Sequence, residues 1–272
     1  MVTLDESEYV LGTSDEEIAR LELQHAVWRN DAAMSWRRAG FRPGQTIIDV
    51  GSGPGFASLD LASIVGSGGQ VIAVDQSRRF LDYLNAQCVG RGIGNVVTRL
   101  ADLSDYEFPD VTADGAWLRW VLAFVAGSDS VLRRVVDALR PRGTVVLHEY
   151  YAYETWQVIP RDRAFERFVS AVMTSWRARG GEPNVGLSVV PWLEQLGMSV
   201  EHTRTIVDVV RASDSRWHWP VTFALSGLER LVQLGEVNGC DADEMRRSIR
   251  SLVKSGSWMI TPAVLEVVAR KP

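Results

Sequence analysis

A chain of 272 residues with 46% apolar side chains can bury one large core or two small ones, which excludes an unfolded or fibrous chain. Its formal charge is −5, and its basic residues gather only in pairs such as Arg78-Arg79, Arg133-Arg134 and Arg246-Arg247; this argues against a nucleic-acid partner, because a polyanion needs a positive face. The first thirty residues are acidic and hold no continuous apolar run, so neither a secretory leader nor a membrane span is expected, and the chain reads as cytoplasmic.

Ser14-Asp15-Glu16-Glu17 is a capping-box pattern that starts a helix over about 14–36, with Ile18, Leu21, His25 and Trp28 on one face. Thr46 to Val50 then reads as a buried strand, and Gly51-Ser52-Gly53-Pro54-Gly55 as a turn into a helix from Phe56. Glycine at every second position admits positive φ and lets a ligand approach main-chain atoms that a Cβ would shield. The nicotinamide-dinucleotide fingerprint asks for a glycine where Phe56 stands, so a dehydrogenase is disfavoured. Asp75 ends the next strand, Val71 to Val74, where a carboxylate can accept from both hydroxyls of a ribose.

A helix through Phe80, Leu81, Leu84 and Cys88 leads to a third strand, Asn95 to Leu100, with Asp102 beyond it. Asp114 to Trp120 reads as strand four, Ser130 to Leu139 as an amphipathic helix, and Thr144 to Leu147 as strand five. Strands alternating with helices imply a parallel sheet covered on both faces, with the ligand crevice at the carboxyl ends of the strands. Asp49, Asp75, Asp102 and Arg119 all fall at or just beyond those ends.

After strand five the alternation lapses. A helix is expected from Arg163 to Arg179, a helix and turn near Val189 to Gly197, strand six from Val200 to Val210, helices near Val221 to Leu234 and Asp241 to Lys254, and a last strand from Ala263 to Ala269. Cys88 and Cys240 lack metal-ligand spacing and there is no HExxH or Asp-rich loop, so two reduced, partly buried thiols and no metal are expected.

The acid-x-Gly-x-Gly-x-Gly turn, joined to Asp75, Asp102 and the later strands, resembles the class I S-adenosylmethionine-dependent methyltransferases, in particular the UbiE-like small-molecule group. The resemblance implies a single α/β domain over 1–272. Its Rossmann-like sheet has seven strands in the order 3-2-1-4-5-7-6, the seventh antiparallel, with helices on both faces. A lid helix and substrate-covering insertions at about 150–185 and 213–257 complete it. S-adenosylmethionine is the implied cofactor, with Gln24, Asp49, Gly51, Gly53, Gly55, Asp75, Gln76, Asp102, Leu103 and Arg119 as its binding residues. Tyr9, Gln24 and His25 match the family's lid pattern, although a histidine on an apolar helix face is more often a hydrogen-bonded core residue. The family shows Pro-Gly-Gly before strand five, where this chain has Pro141-Arg142-Gly143.

The implied reaction is in-line transfer of a methyl group to an oxygen or nitrogen of a small, aromatic or apolar metabolite of specialised metabolism. The alternatives are non-methylating chemistry on the same cofactor, such as decarboxylation or cyclisation, and a non-catalytic regulatory role. Ten tryptophans are a heavy aromatic load, and Tyr9, Trp28, Trp120, Tyr150, Trp217 and Trp219 are the candidates for the substrate side, against a competing role in core or lid packing. His148 and Glu149, at the end of strand five, and His218, between two tryptophans, are the candidate general bases. A monomer and a homodimer fit the sequence equally.

Overall fold

The computed structural model describes residues 13–254 and 256–272; Tyr9 lies outside them. Helix α1 (Asp15–Ala39) begins where Ser14 Oγ accepts from the Glu17 N–H (3.3 Å) and stops at Gly40, whose φ of 77° lets its N–H bond the last carbonyls. Asp15, Glu16 and Glu17 in its first turn and Arg37 and Arg38 in its last complement the helix dipole.

Strands β1 (Thr46–Val50), β2 (Gln70–Asp75), β3 (Val96–Leu100), β4 (Ala113–Arg119) and β5 (Leu139–Tyr150) are parallel neighbours. Strand β7 (Ser199–Ile206) and the antiparallel β10 (Val264–Arg270) complete the order β3-β2-β1-β4-β5-β10-β7. This is the expected topology, with β7 and β10 as the sixth and seventh strands. Helices α2 (Phe56–Val65), α3 (Arg78–Arg91), α4 (Ser128–Asp137) and α6 (Gly186–Gln195) cover the sheet with α1.

Both faces are apolar, and the side chains divide by strand parity. Ile47, Val71, Trp117, Val146 and Val268 pack with Trp36 of α1 and Leu61 of α2. Their neighbours Ile48, Ile72, Leu118, Leu147 and Val267 join the other core with Leu132 of α4 and Leu193 of α6. Parity also sends two acidic or basic groups inward. His148 and Glu266 lie on the α1 face, both with no exposed surface.

There they enter a buried charged cluster. Glu266 accepts from Ser35 Oγ (2.8 Å), Arg38 Nη1 (2.7 Å) and Arg204 Nη2 (2.8 Å), and His148 Nε2 lies 2.9 Å from Ser35 Oγ. Burial alone would raise the Glu266 carboxyl, but the bonds from His148, Arg204 and Ser35 hold it well below the ordinary range. Asp31 of α1 takes Arg204 and also Arg216, so the cluster ties α1 to the sheet and to the start of α7 (Ser215–Gln233).

The region after β5 differs from expectation in two places. The predicted strand 200–210 breaks after Ile206: Val209–Arg211 (β8) leaves the main sheet and pairs antiparallel with β9 (Trp258–Ile260), which also pairs with β6 (Gln157–Ile159). Three-residue strands from distant segments carry no periodic signal, so this second sheet was not anticipated. Helix α7 also starts earlier than expected, because Pro220 is accommodated within it. Helices α5 (Arg163–Ala178), α7 and α8 (Gly239–Lys254) pack on one another, and α7 packs on α1. Cys88 is buried and Cys240 is exposed, both as free thiols. No helix among the described residues is long and apolar enough to cross a membrane.

Candidate functional site

At the carboxyl ends of β1, β2 and β4 lies a cavity of about 680 Å³, within the roughly 300–1,000 Å³ typical of small-molecule sites. Its floor is the glycine turn. Gly51, Gly53 and Gly55 all take positive φ (65°, 55° and 83°), but they serve different ends. A Cβ on Gly51 would meet Val121 Cγ2 at 2.6 Å, and one on Gly55 would meet Leu84 Cδ1 at 2.3 Å, so these two glycines permit close packing. A Cβ on Gly53 would find nothing within 4 Å, and Gly53 lines the cavity. Bare main chain therefore faces open space only there among the three, while Gly55 packs away from the cavity.

Asp75 braces this turn: its Oδ2 accepts from the Gly53 N–H and its Oδ1 from the Ser77 N–H, each at 2.8 Å. Burial pushes its carboxyl up to about 6, against the pull of those two N–H groups. Asp49, behind the turn, accepts from Ser58 Oγ at 2.5 Å. Burial raises it to about 7, against that bond and the nearby Arg119.

Arg119, at the end of β4, is lowered to about 10 by burial. Its Nη2 lies 3.1 Å from His25 Nδ1, and because a guanidinium only donates, that imidazole nitrogen accepts. His25 is then the neutral Nε2–H tautomer and donates to Asp60 Oδ2 at 3.1 Å. Burial, with Arg119 adding to it, keeps the His25 pKa below its usual value. Asp60 also takes both arms of Arg29 (2.7 and 2.6 Å). Although partly buried, it is held down at about 2 by His25 and Arg29. Asp60, His25 and Arg119 thus form a relay from α2 through α1 to the cavity wall. Nothing local in the sequence joins Asp60 to His25, 35 residues earlier.

Of the predicted cofactor residues, Gln24, Asp49, Gly51, Gly53, Asp75, Gln76, Asp102, Leu103 and Arg119 line this one cavity. Trp120 and Tyr150 line it as well. Trp120 sits at φ 54°, a strained setting for a large side chain at the exit of β4. Its ring stacks on Tyr150 (5.2 Å, 10°) and on Trp219 (5.4 Å, 13°). Trp28, Trp217 and Trp219 stand outside the lining, each 1% exposed, and act as packing; Trp28 meets Trp120 and Trp219 edge-on.

The base candidates require correction. His148 is sealed beneath α1 by its parity on β5 and does not line the cavity, and burial lowers its pKa. Glu149, on the opposite face, turns one oxygen onto the N–H groups of Val121 and Leu122, both at 2.9 Å. Burial raises it to about 7 against those bonds, and its role is to fix the loop that carries Trp120 and Val121. His218 is exposed on α7 and also stands off the cavity. Sequence reasoning missed Glu17, Arg20, Phe124, Arg179, Phe223 and Arg230, which line the cavity from α1, the segment after β4, the end of α5, and α7.

Residues 48–147 match the profile of the family described as methyltransferase domain. Over this stretch the chain is similar to methyltransferase domains. Over 152 residues the chain is 28% identical to the ubiquinone/menaquinone biosynthesis C-methyltransferase UbiE of Teredinibacter turnerae, covering 54% of this chain and 61% of that enzyme. The [4+2]-cyclase SpnF superposes with a TM-score of 0.56 at 18% identity, over 89% of this chain and 81% of that one. Coclaurine N-methyltransferase superposes with a TM-score of 0.58 at 19% identity, over 89% and 72%. At such identities the likeness of these structures is one of fold. The matched residues run from within β1 to within β5 and include the glycine turn, whereas Arg179, Phe223 and Arg230 lie beyond them.

Proposed function

We propose that the chain is an S-adenosylmethionine-dependent methyltransferase acting on a small aromatic or apolar metabolite by in-line displacement. The observation that carries this reading is the unobstructed Cβ side of Gly53, which lines the cavity, set beside the Asp75 carboxylate at its floor. Those residues fit the cofactor: Gly53 leaves room for close approach, Asp75 can accept from ribose hydroxyls, Asp102 and Leu103 would hold the adenine, and Gln24 and Arg119 would hold the amino-acid end. When bound, the cofactor supplies a methyl group activated on a sulfonium.

The chain's own part is to align and to exclude water, and positioning of this kind is worth up to ~7–11 kcal/mol in well-oriented systems. Trp120 and Tyr150 wall the side toward which an acceptor would lie, and α1 with the insertions at about 150–185 and 213–257 forms the cover of a single unit. His148, Glu149 and His218 stand off the cavity, which favours an acceptor that is already nucleophilic, an ionised oxygen or an unprotonated nitrogen. Calorimetry with S-adenosylhomocysteine tests the reading: the wild type binds, and Gly53→Val and Asp75→Ala do not. Unchanged affinity in both variants overturns it. Turnover of an acceptor without release of S-adenosylhomocysteine points instead to non-methylating chemistry on the same cofactor.

A further inference from the structure

At the opposite end of the strands, where β1, β4 and β5 begin and β10 ends, lies a separate recess of about 410 Å³, large enough for a small molecule. Arg42, Arg140, Arg142 and Arg270 line it, with Asp114 as the one lining carboxylate among the described residues. Asp114 is fully engaged, pairing with Arg140 through Oδ1 and accepting from the Thr46 N–H through Oδ2 at 2.8 Å. Arg270 is engaged as well. It donates to both oxygens of Glu201, which stands off the recess (2.7 and 3.1 Å), and to the Arg142 carbonyl (3.1 Å). The guanidinium groups of Arg42 and Arg142 have no hydrogen-bond or ion-pair partner among the described residues, so the uncompensated charge of the recess is theirs.

Two features set this pair apart from solvated surface arginines. Arg142 is held at φ 66°, a conformation that an L side chain adopts only at a cost, by its N–H to the Lys271 carbonyl (3.0 Å) and by Arg270 on its own carbonyl. Its guanidinium makes no contact within the fold that offsets that cost. The recess also has neutral donors on buried residues: Gln45 is 9% exposed and Thr144 2%. Gln45 Oε1 accepts from the Arg42 N–H at 2.9 Å, which fixes the amide so that its nitrogen is the free end. Neither that nitrogen nor the Thr144 hydroxyl has a partner among the described residues.

A ligand that completes such a site brings negative charge and several oxygen acceptors, since a guanidinium only donates and the donors come from two separate segments, 42–45 and 142–144. A tetrahedral phosphate can accept from both segments at once, whereas a planar carboxylate offers two oxygens. We propose that this recess binds a phosphate group, of inorganic pyrophosphate or of a small phosphate ester, with Arg42 and Arg142 as its charged partners. The proposal does not depend on the methyltransferase reading.

The test is titration calorimetry on the full chain at low salt with pyrophosphate, ribose 5-phosphate and acetate. Pyrophosphate or ribose 5-phosphate is expected to bind at least about tenfold more tightly than acetate, as charge-assisted bonds to several oxygens require, and the tighter of the two identifies the source of the phosphate. Binding weakens with added salt. Arg142→Gly removes the strained backbone, so it should melt no lower than the wild type and yet bind the phosphate about tenfold or more weakly, which separates loss of the site from loss of the fold. Arg42→Gln weakens binding in the same way, while Arg250→Gln, at an exposed arginine of α8 that does not line the recess, leaves it unchanged. Saturating S-adenosylhomocysteine also leaves it unchanged, because the glycine turn is at the other end of the strands. No saturable binding at millimolar phosphate, acetate binding on equal terms, full affinity in Arg142→Gly, an equal loss in Arg250→Gln, or displacement by S-adenosylhomocysteine overturns the proposal.

Discussion

Two groups of residues that line the cavity are built on different principles. The cradle end is made by backbone: a strand, a turn of three positive-φ glycines and the carboxylate that braces it, all within residues 46–77. The rest of the lining includes side chains from α1, from Arg179 just after α5 and from α7, which are distant in sequence and held together by aromatic packing and by the charged cluster around Glu266 and Asp31. A backbone site tolerates little change in its own few residues but owes little to the rest of the chain. A side-chain site can be retuned residue by residue, and it fails when its supports fail.

The largest effect should come from the supports. Glu266→Ala leaves Arg38, Arg204 and His148 without their shared acceptor in a buried place, and unfolding in denaturant should show a loss of about 3–5 kcal/mol. A loss below about 1 kcal/mol would mean that α1 is held by apolar packing alone. Next come the glycines, which separate packing from binding. Gly55→Ala drives a methyl into Leu84 at an unfavourable φ and should lower stability by about 2–4 kcal/mol. Gly53→Ala meets no atom, so its cost is the positive φ, about 1–2 kcal/mol, while its main effect is on S-adenosylhomocysteine affinity. Thermal melts and calorimetry on the pair break the comparison if Gly53→Ala is the less stable variant.

The cradle also has a pH signature. Asp75 is raised to about 6, so it becomes protonated as pH falls through that value and loses its capacity to accept from two hydroxyls. S-adenosylhomocysteine affinity should therefore be full above pH 7 and drop by about tenfold for each unit below 6. For folding the sign is opposite: a carboxyl raised by burial favours the folded state at low pH, and that contribution disappears as pH rises from about 4 to 6. A binding profile flat from pH 5 to 8 would show that Asp75 does not carry the ligand. The smallest effect lies outside the cavity. Arg142 takes φ 66°, a backbone setting that favours glycine, and Arg142→Gly should stabilise by about 0.5–1 kcal/mol, read from a melting shift.

How much of this was legible in the sequence follows the same division. Asp49, Gly53, Asp75 and Arg119 could be placed because a strand end followed by a glycine turn sets main-chain geometry locally; the alternation of elements implies the parallel sheet, and its strand order is what the family resemblance implies. Gly55 was grouped with Gly53 because the sequence does not show that Leu84 packs on it. His148, one of the candidate bases, stands off the cavity for a related reason. Its place at a strand end was right, but its parity turns it under α1, and only the fold brings Ser35 and Glu266 to meet it. Arg20, Arg179 and Arg230 belong to segments more than fifty residues apart, so no spacing could reveal that they line one cavity. Most of the tryptophans expected at the substrate are packing, as befits a residue whose large apolar surface is most often buried.

The most direct measurement is a crystal structure of the protein grown with S-adenosylhomocysteine. The ligand should lie across Gly53 with its ribose hydroxyls within hydrogen-bonding distance of Asp75 and its sulfur turned toward Trp120 and Tyr150. Density for it elsewhere, or a Gly53 face closed by the protein's own side chains, would contradict the assignment.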